Sequence, residues 1–414
     1  MARSVRWPSG RFHFFIETVE ARSGVTLARR NVATIPEMRT QGKTPLIVGR
    51  STTLRSVLDK LPRAQQAGDF SPKAEGFWVG AFGSDNARAL VVAGDDDAGV
   101  LYGLGFLLRQ LSLGPERVGL FAERAEIFER SAPRWPVRGV TFSYGELSNT
   151  YGTWTRAQFK RQLEELAWFG LNHVQIAASS KPSSSNPEDF ERVIAQLAEE
   201  AQRLGMKVTM FAPMPDADYS KPEGTAVITA RWDRLMSAAS RVDGMLVPGG
   251  DPGHTPAQWI IPAVSTQARL LAKRHPGAEI WITFQGFSRQ ECERELERIR
   301  TEQPAWLTGV AMAPWTDMTV QELREKLPAR YAVRSYIDLT HVLHSEHPVE
   351  GLDQAAAILH GREPICPRPG GIAEIVRRDA PSTIGGVLYS EGVHDDINKV
   401  LWTQLLWDPE KQPE

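Results

Sequence analysis

The sequence predicts an α/β chain: a (β/α)8 barrel of the TIM type preceded by a small α+β domain. Three observations carry this. From residue 137 onward, short apolar runs alternate with amphipathic helical stretches eight times in about 270 residues. Before residue 128 the pattern is different, with paired short strands and a single long apolar helix. Between them "ERSAPRWP" places two prolines in eight residues, which reads as a linker. The expected boundaries are 1–128 for the first domain, 129–136 for the linker and 137–414 for the barrel.

In the first domain "TPLIVGRS" is a strand running into a glycine turn, and "SVLDKLP" is a short helix closed by Pro62. "EGFWVGAF" and "ARALVVAG" flank the turn "GSDN", a hairpin signal. In "DDDAGVLYGLGFLLRQL" the acids Asp95, Asp96 and Asp97 precede an apolar stripe of Leu101, Leu104, Leu107, Leu108 and Leu111. Acids at a helix start complement its dipole.

The barrel strands are read as "VRGVTFS", "HVQIAAS", "KVTMFAP", "GMLVPGG", "EIWITFQ", "LTGVAMAPW", "YAVRSYID" and "TIGGVLYS". A helix follows each. The first spans 155–169, with Phe159, Leu163, Leu166 and Ala167 on one face; the second spans 187–204, with Val193, Leu197 and Ala201. Helical pieces at "LDQAAAIL" and "GIAEIVRR" follow the seventh strand. An open dinucleotide-binding sheet is disfavoured, because "SYGELSNTYG" after the first barrel strand lacks GxGxxG.

Composition narrows the function classes. Lys+Arg 48 against Asp+Glu 50 leaves a net charge of −2, so bulk charge favours neither nucleic acid nor an anionic membrane. No run of about 18 apolar residues predicts a membrane span. Cys292 and Cys366 form neither a CxxC motif nor a disulfide framework. The start "MARSVRWPSGRFHFF" is basic and lacks the apolar stretch of a signal peptide, which by itself points to the cytoplasm.

Barrel enzymes build their sites from the C-terminal ends of the strands. That rule selects Glu146 after the first strand, Asp216 and Asp218 after the third, and Asp251 and His254 after the fourth. It adds Gln285, Trp315, Asp338, Tyr389 and Glu391 from the last four strands. Carboxylates mixed with aromatic rings and amides suit a carbohydrate, whose ring face stacks and whose hydroxyls hydrogen-bond. Glycosidic hydrolysis needs one carboxyl to protonate the leaving oxygen and a second to attack or to activate water. Asp251 and Glu391 are the expected catalytic pair, since both directly follow apolar strand cores. The remaining eight are expected to bind substrate.

Structural roles compete at several positions. Asp395 and Asp396 suit the cap of the last helix. Asp251 could close a turn through its side chain. Trp154, Trp315 and Tyr389 divide evenly between sugar platform and packing. "RQECERELERIRTE" reads as a solvated helix face. The histidines of "HVLHSEH" lack the HExxH order, so no metal and no other cofactor is expected.

The order "DDAGVLYGLGFLLRQL", "RWPVRGVTFS", "GLNHVQIA" resembles the opening of the family 20 glycoside hydrolases, the β-N-acetylhexosaminidases. "GGDP" at 249–252 is similar to that family's GGDE, and "YSEG" at 389–392 to its strand-eight segment with W-x-E. Family 67 α-glucuronidases share the two-domain layout. The resemblance implies a glycosidase acting on an N-acetylhexosamine- or uronic-acid-containing glycan, and export from the cell. It places Asp251 on the residue that orients the substrate acetamide, while Pro252 stands where the family has its acid. The acid then comes from Glu146, Asp218 or Glu391, or the barrel binds sugar without cleaving it. A metal-dependent hydrolase on the same rim is the third reading.

Overall fold

The computed structural model describes residues 11–28, 44–58, 71–82, 89–121, 127–144, 151, 154–178, 187–253, 255–337, 367–390 and 395–410. The chain divides into two compact units. One comprises 1–134 with 164–170, and the other 135–163 with 171–414.

The first unit is a mixed sheet with helices. It contains α1 (Arg11–Ser23), β1 (Leu46–Arg50), α2 (Ser51–Leu58), β2 (Phe77–Phe82), β3 (Ala89–Gly94) and α3 (Asp97–Leu108). The hairpin β4 (Leu111–Gly114) and β5 (Arg117–Leu120) follows, then β6 (Phe128–Ser131). The sheet order is β1-β3-β2-β6, with β2 and β3 antiparallel as the hairpin signal implies. Residues 129–131 of the expected linker complete β6, whose Ser131 pairs with Phe77.

Of the three expected acids, Asp96 caps α3, its carboxylate accepting from Gly99 N at 2.8 Å. Asp97 sits in the first turn and holds Arg50 at 2.6 Å. Asp95 instead accepts from Lys73 N and lies beside Ser51 Oγ. Leu111 is not on the helix. It begins the β4–β5 hairpin, which turns through Glu116 in the left-handed region at φ 56.

The second unit is a closed parallel barrel of eight strands with surrounding helices, the TIM architecture. Its strands are β7 (Val137–Tyr144), β8 (His173–Ala178), β9 (Lys207–Phe211), β10 (Gly244–Val247), β11 (Glu279–Ile282), β12 (Gly309–Met312), β13 (Ala332–Ser335) and β14 (Gly385–Ser390). Closure comes from β14 on β7, with Gly385 opposite Val137 and Ser390 opposite Phe142. The described helices are α4 (Arg156–Trp168), α5 (Pro187–Arg203), α6 (Pro222–Ser237), α7 (Ala257–Arg274), α8 (Arg289–Glu302), α9 (Val320–Lys326), α10 (Pro369–Asp379) and α11 (Asp396–Trp407). The stretch 352–359, expected as helical, lies outside the described residues. No described helix is long and apolar enough to cross a membrane.

Side chains alternate across each strand. Phe142 meets Phe159 of α4, with ring centroids 6.1 Å apart. One residue back, Thr141 turns inward and accepts from Gln175 Nε2 at 3.0 Å. The upper interior is apolar: Ala177, Phe211, Leu246, Trp281, Ala311, Ala313 and Tyr336 form one cluster. Below it lies a polar layer that the apolar strand runs do not announce. Arg334 donates to Gln175 Oε1 at 2.9 Å and stacks 4.6 Å over Trp281. His173 meets Thr209 Oγ1 at 2.7 Å, and Lys207 holds Glu279 at 2.6 Å.

The charged run of α8 is not wholly a solvated face. Ser288 and Glu291 form a capping box at its start, and most of its acids and bases pair at the surface. Glu295, however, is buried against Arg298 at 3.1 Å, and burial lifts its pKa above the ordinary carboxylate value.

Candidate functional site

The site begins where β10 stops. Met245, Leu246 and Val247 are buried, and Pro248 ends the run. Gly249 follows because nothing larger fits: a Cβ there would stand 2.9 Å from Thr283 O and 3.0 Å from Gln285 O. Gly249 N donates to Thr283 Oγ1 at 3.2 Å, and Gly250 N to Gln285 O at 2.7 Å. The next amide, Asp251 N, also reaches Gln285 O at 3.3 Å. Backbone pairing between the fourth and fifth barrel strands thus continues past the formal strand ends. It carries Asp251 onto the rim. The Asp251–Pro252 peptide is cis.

The next connection is tied in the same way. Gly286 N donates to Trp315 O at 3.0 Å. Gly286 sits at φ 75, and a Cβ on it would come within 3.3 Å of Asp251 Cβ. Asp317 Oδ2 accepts from Arg289 N at 3.0 Å and so anchors the start of α8. Three successive strand ends, carrying Asp251, Gln285 and Trp315, are therefore bonded into one ledge.

Asp251 and Gln285 meet directly. Gln285 Nε2 donates to Asp251 Oδ2 at 3.2 Å. The side chain of Gln285 is 6% exposed, and its Oε1 is buried without a hydrogen-bond partner among the described residues. Trp315 is the opposite case: half its surface is exposed, and its backbone is in the left-handed region at φ 53. An exposed indole on a fixed backbone can serve as a stacking platform. Trp154, the other candidate of that kind, is turned edge-on to Tyr151 at 4.9 Å and packs with Phe159 at 5.3 Å.

Tyr389 is held from the far side of the barrel. Its hydroxyl donates to Ser143 Oγ at 2.8 Å, and its ring stands edge-on to Tyr336 at 6.2 Å. Of the acids after β9, Asp216 is exposed. Asp218 is used locally: its carboxylate binds Ser220 and pairs with Lys221 at 2.9 Å. The hydrogen bonds from Ser220 and Lys221 hold its pKa below the ordinary value, the signature of a turn anchor before α6. Glu146, His254, Asp338 and Glu391 lie outside the described residues.

Behind β14 the structure holds a cluster that sequence reasoning missed. Lys399 on α11 is completely buried, donating to Tyr151 Oη at 2.6 Å and pairing with Asp395 at 2.8 Å and Asp396 at 2.9 Å. Tyr151 in turn lies 3.0 Å from Ser390 Oγ at the end of β14. The two aspartates stand where expected, Asp395 at the cap position and Asp396 in the first turn, but Asp395 makes no side-chain capping bond and both acids pair with the ammonium. Burial works against the charged amine, but Asp395, Tyr151 and Asp396 outweigh it and raise its pKa. The spacing Asp395, Asp396, Lys399 was the available signal, at i,i+4 and i,i+3.

Among the described residues, no group of three or more His, Cys, Asp or Glu side chains is arranged to hold a metal ion. The ledge can orient a carboxylate and present an aromatic face.

Searches by sequence find no matching family model and no matching curated protein. Among solved structures the chain is similar to CpGH84B, with a TM-score of 0.60 at 10% identity. The match covers 98% of this chain and 67% of that one. At that identity the likeness is one of fold.

Proposed function

We propose that the protein is a glycoside hydrolase whose barrel rim uses carboxylate acid/base chemistry on a carbohydrate. The observation that carries this reading is the Asp251 carboxylate, fixed by Gln285 at the C-terminal end of a closed parallel barrel on the same ledge as the exposed Trp315. The designation of CpGH84B, a glycoside hydrolase family 84 protein, supports it at the level of fold kind.

In this reading Asp251 and Glu391 are the working pair. One carboxyl gives its proton to the glycosidic oxygen as the bond to the anomeric carbon breaks. The other stabilises the oxocarbenium-like centre, by attack or by removing a proton from water. Water then supplies the hydroxyl of the new reducing end. Tyr389 and Asp216 line the remaining rim. The glycan carries N-acetylhexosamine or uronic acid, as the resemblance to families 20 and 67 implies.

The test is turnover of a panel of aryl glycosides by the wild type, Asp251→Asn and Glu391→Gln. Loss of about a hundred-fold or more in kcat in each variant is the expected result. Full activity in either variant on a substrate that the wild type cleaves removes that residue from the mechanism. One observation favours a second reading, a carbohydrate-binding barrel without catalysis: Pro252, with no ionisable group, follows Asp251 directly. Glycan binding without product by mass spectrometry would decide for it.

A further inference from the structure

The last two residues of β14 face opposite ways, as strand geometry requires. Tyr389 turns into the barrel, where its hydroxyl donates to Ser143 Oγ at 2.8 Å. Ser390 turns outward, and its Oγ shares a hydrogen bond with the Tyr151 hydroxyl at 3.0 Å. Both bonds tie β14 to the first strand or to the connection after it, since Ser143 lies on β7 and Tyr151 between β7 and α4. On the other side Tyr389 N donates to Ile337 O, beyond the end of β13, at 2.7 Å.

The outward tie is backed by a buried ion. Tyr151 and Lys399 are both completely buried. Lys399 Nζ donates to Tyr151 Oη at 2.6 Å and to Asp396 Oδ1 at 2.9 Å, and it pairs with Asp395 at 2.8 Å. Asp396 is held in turn by Gln162 Nε2 of α4 at 2.9 Å. The Tyr151 ring stands edge-on to Phe142 at 5.0 Å and to Trp154 at 4.9 Å. Packing thus fixes the ring, and the ammonium fixes its hydroxyl. A buried ionic cluster rarely stabilises a fold more than apolar residues of similar volume. What it adds here is geometry, because a hydrogen bond sets both distance and angle. The cluster lies at the C-terminal end of the barrel strands, the end on which barrel enzymes build their sites.

We infer that Lys399 and Tyr151 are positioning residues that hold the end of the eighth barrel strand, through Ser390, in place for the rim groups Tyr389 and Glu391. Tyr389 precedes Ser390 in the chain and Glu391 follows it, so a shift of Ser390 passes to both through the backbone. The task given to Glu391 rests on the glycosidase reading above; the clamp on the strand end does not. Lys399 and Tyr151 act from behind the strand and touch no substrate. Misplacing a reacting group by about 1 Å can cost about a hundred-fold in rate. Loss of one hydroxyl behind the strand should therefore be read in turnover and hardly in substrate affinity.

The experiment uses the full chain as wild type, Tyr151→Phe and Ser390→Ala. The two variants remove the same hydrogen bond from opposite ends, so if one does not fold the other still breaks it. Hydrogen exchange followed by mass spectrometry reads the strand ends. Peptides covering 385–390 should exchange about ten-fold faster in each folded variant, while those covering 244–247 and 279–282 stay as in the wild type. Wild-type exchange at 385–390 overturns the inference. So does equal acceleration in all three segments, which is the result of a cluster that adds only general stability. On an aryl glycoside that the wild type cleaves, kcat should fall about ten-fold with KM within about two-fold. An unchanged kcat, or a loss confined to KM, overturns the positioning role and leaves the glycosidase reading standing. If the wild type cleaves no glycoside the glycosidase reading fails, and local acceleration at 385–390, or its absence, still decides for or against the clamp.

Discussion

His173 makes the stability of the barrel depend on pH, and the size of the effect can be worked out. The imidazole is buried in the interior, touching Thr209 Oγ1. Burial, with Arg334 and Lys207 nearby, pushes its pKa well below the usual 6.5. A group whose proton is bound less readily when folded gives stability that is fully present above its unfolded pKa. That stability is lost as pH falls below it, until the folded pKa is reached. The loss at a given pH is RT ln(1 + 10^(6.5 − pH)). It is close to zero at about pH 7.5 and about 1.4 kcal/mol at about pH 5.5. Urea unfolding followed by tryptophan fluorescence at those two values, in the wild type and in His173→Gln, measures it. The wild type should lose about 1.4 kcal/mol more than the variant over that interval, because other titrating groups are common to both. Equal losses in the two proteins would refute the assignment of this acid sensitivity to His173.

Arg334→Met should be neutral or stabilising, since two of its guanidinium nitrogens are buried without partners among the described residues and burial pulls its pKa down to about 10. The same variant should shift the acid loss of His173 to lower amplitude by removing a nearby like charge, which repeating the urea series would show. Lys399→Met should destabilise by about 3–5 kcal/mol because Asp395 is left buried without its cation; adding Asp395→Asn should recover part of that in a urea midpoint. Gly286→Ala should cost about 1–2 kcal/mol through its positive φ and crowd Asp251, seen as a lower melting temperature together with weaker sugar binding. Trp315→Ala should lower sugar affinity about ten-fold while stability changes by less than about 1 kcal/mol, because half of the residue is already exposed.

The barrel was legible in the sequence because a parallel strand leaves a strong trace. Runs such as "VTMF" and "GMLV" between amphipathic helices admit few other architectures, and the strands close in that order. The small sheet left a weaker trace. Phe14, Phe15, Ile16 and Val19 of α1 are buried, yet the helix mixes them with His13, Glu17, Glu20 and Arg22 and shows only a weak apolar stripe. The β4–β5 hairpin was hidden because Leu111 continues the leucine spacing of α3 after the helix has ended at Leu108. Periodicity marks where a pattern persists, and here a strand took it over.

The site shows a different limit. Strand-end counting selects Asp251 and Gln285 separately, because each follows an apolar core. Nothing local to either residue says that they touch; they are 34 positions apart. The contact arises because β10 and β11 are neighbours and their pairing runs on through Gly249 and Gly250, which sequence marks only as a chain break. The same holds inside the barrel. Arg334 lies between Val333 and Ser335 in a buried strand, a position that looks like an error of patterning until Gln175 and Trp281 are brought to it by other strands. A polar residue that violates the local pattern is thus a marker of a contact made by closure, and Gln285 belongs to that class. Its amide is buried at a strand end, with one arm bonded to Asp251 and the other without a partner among the described residues.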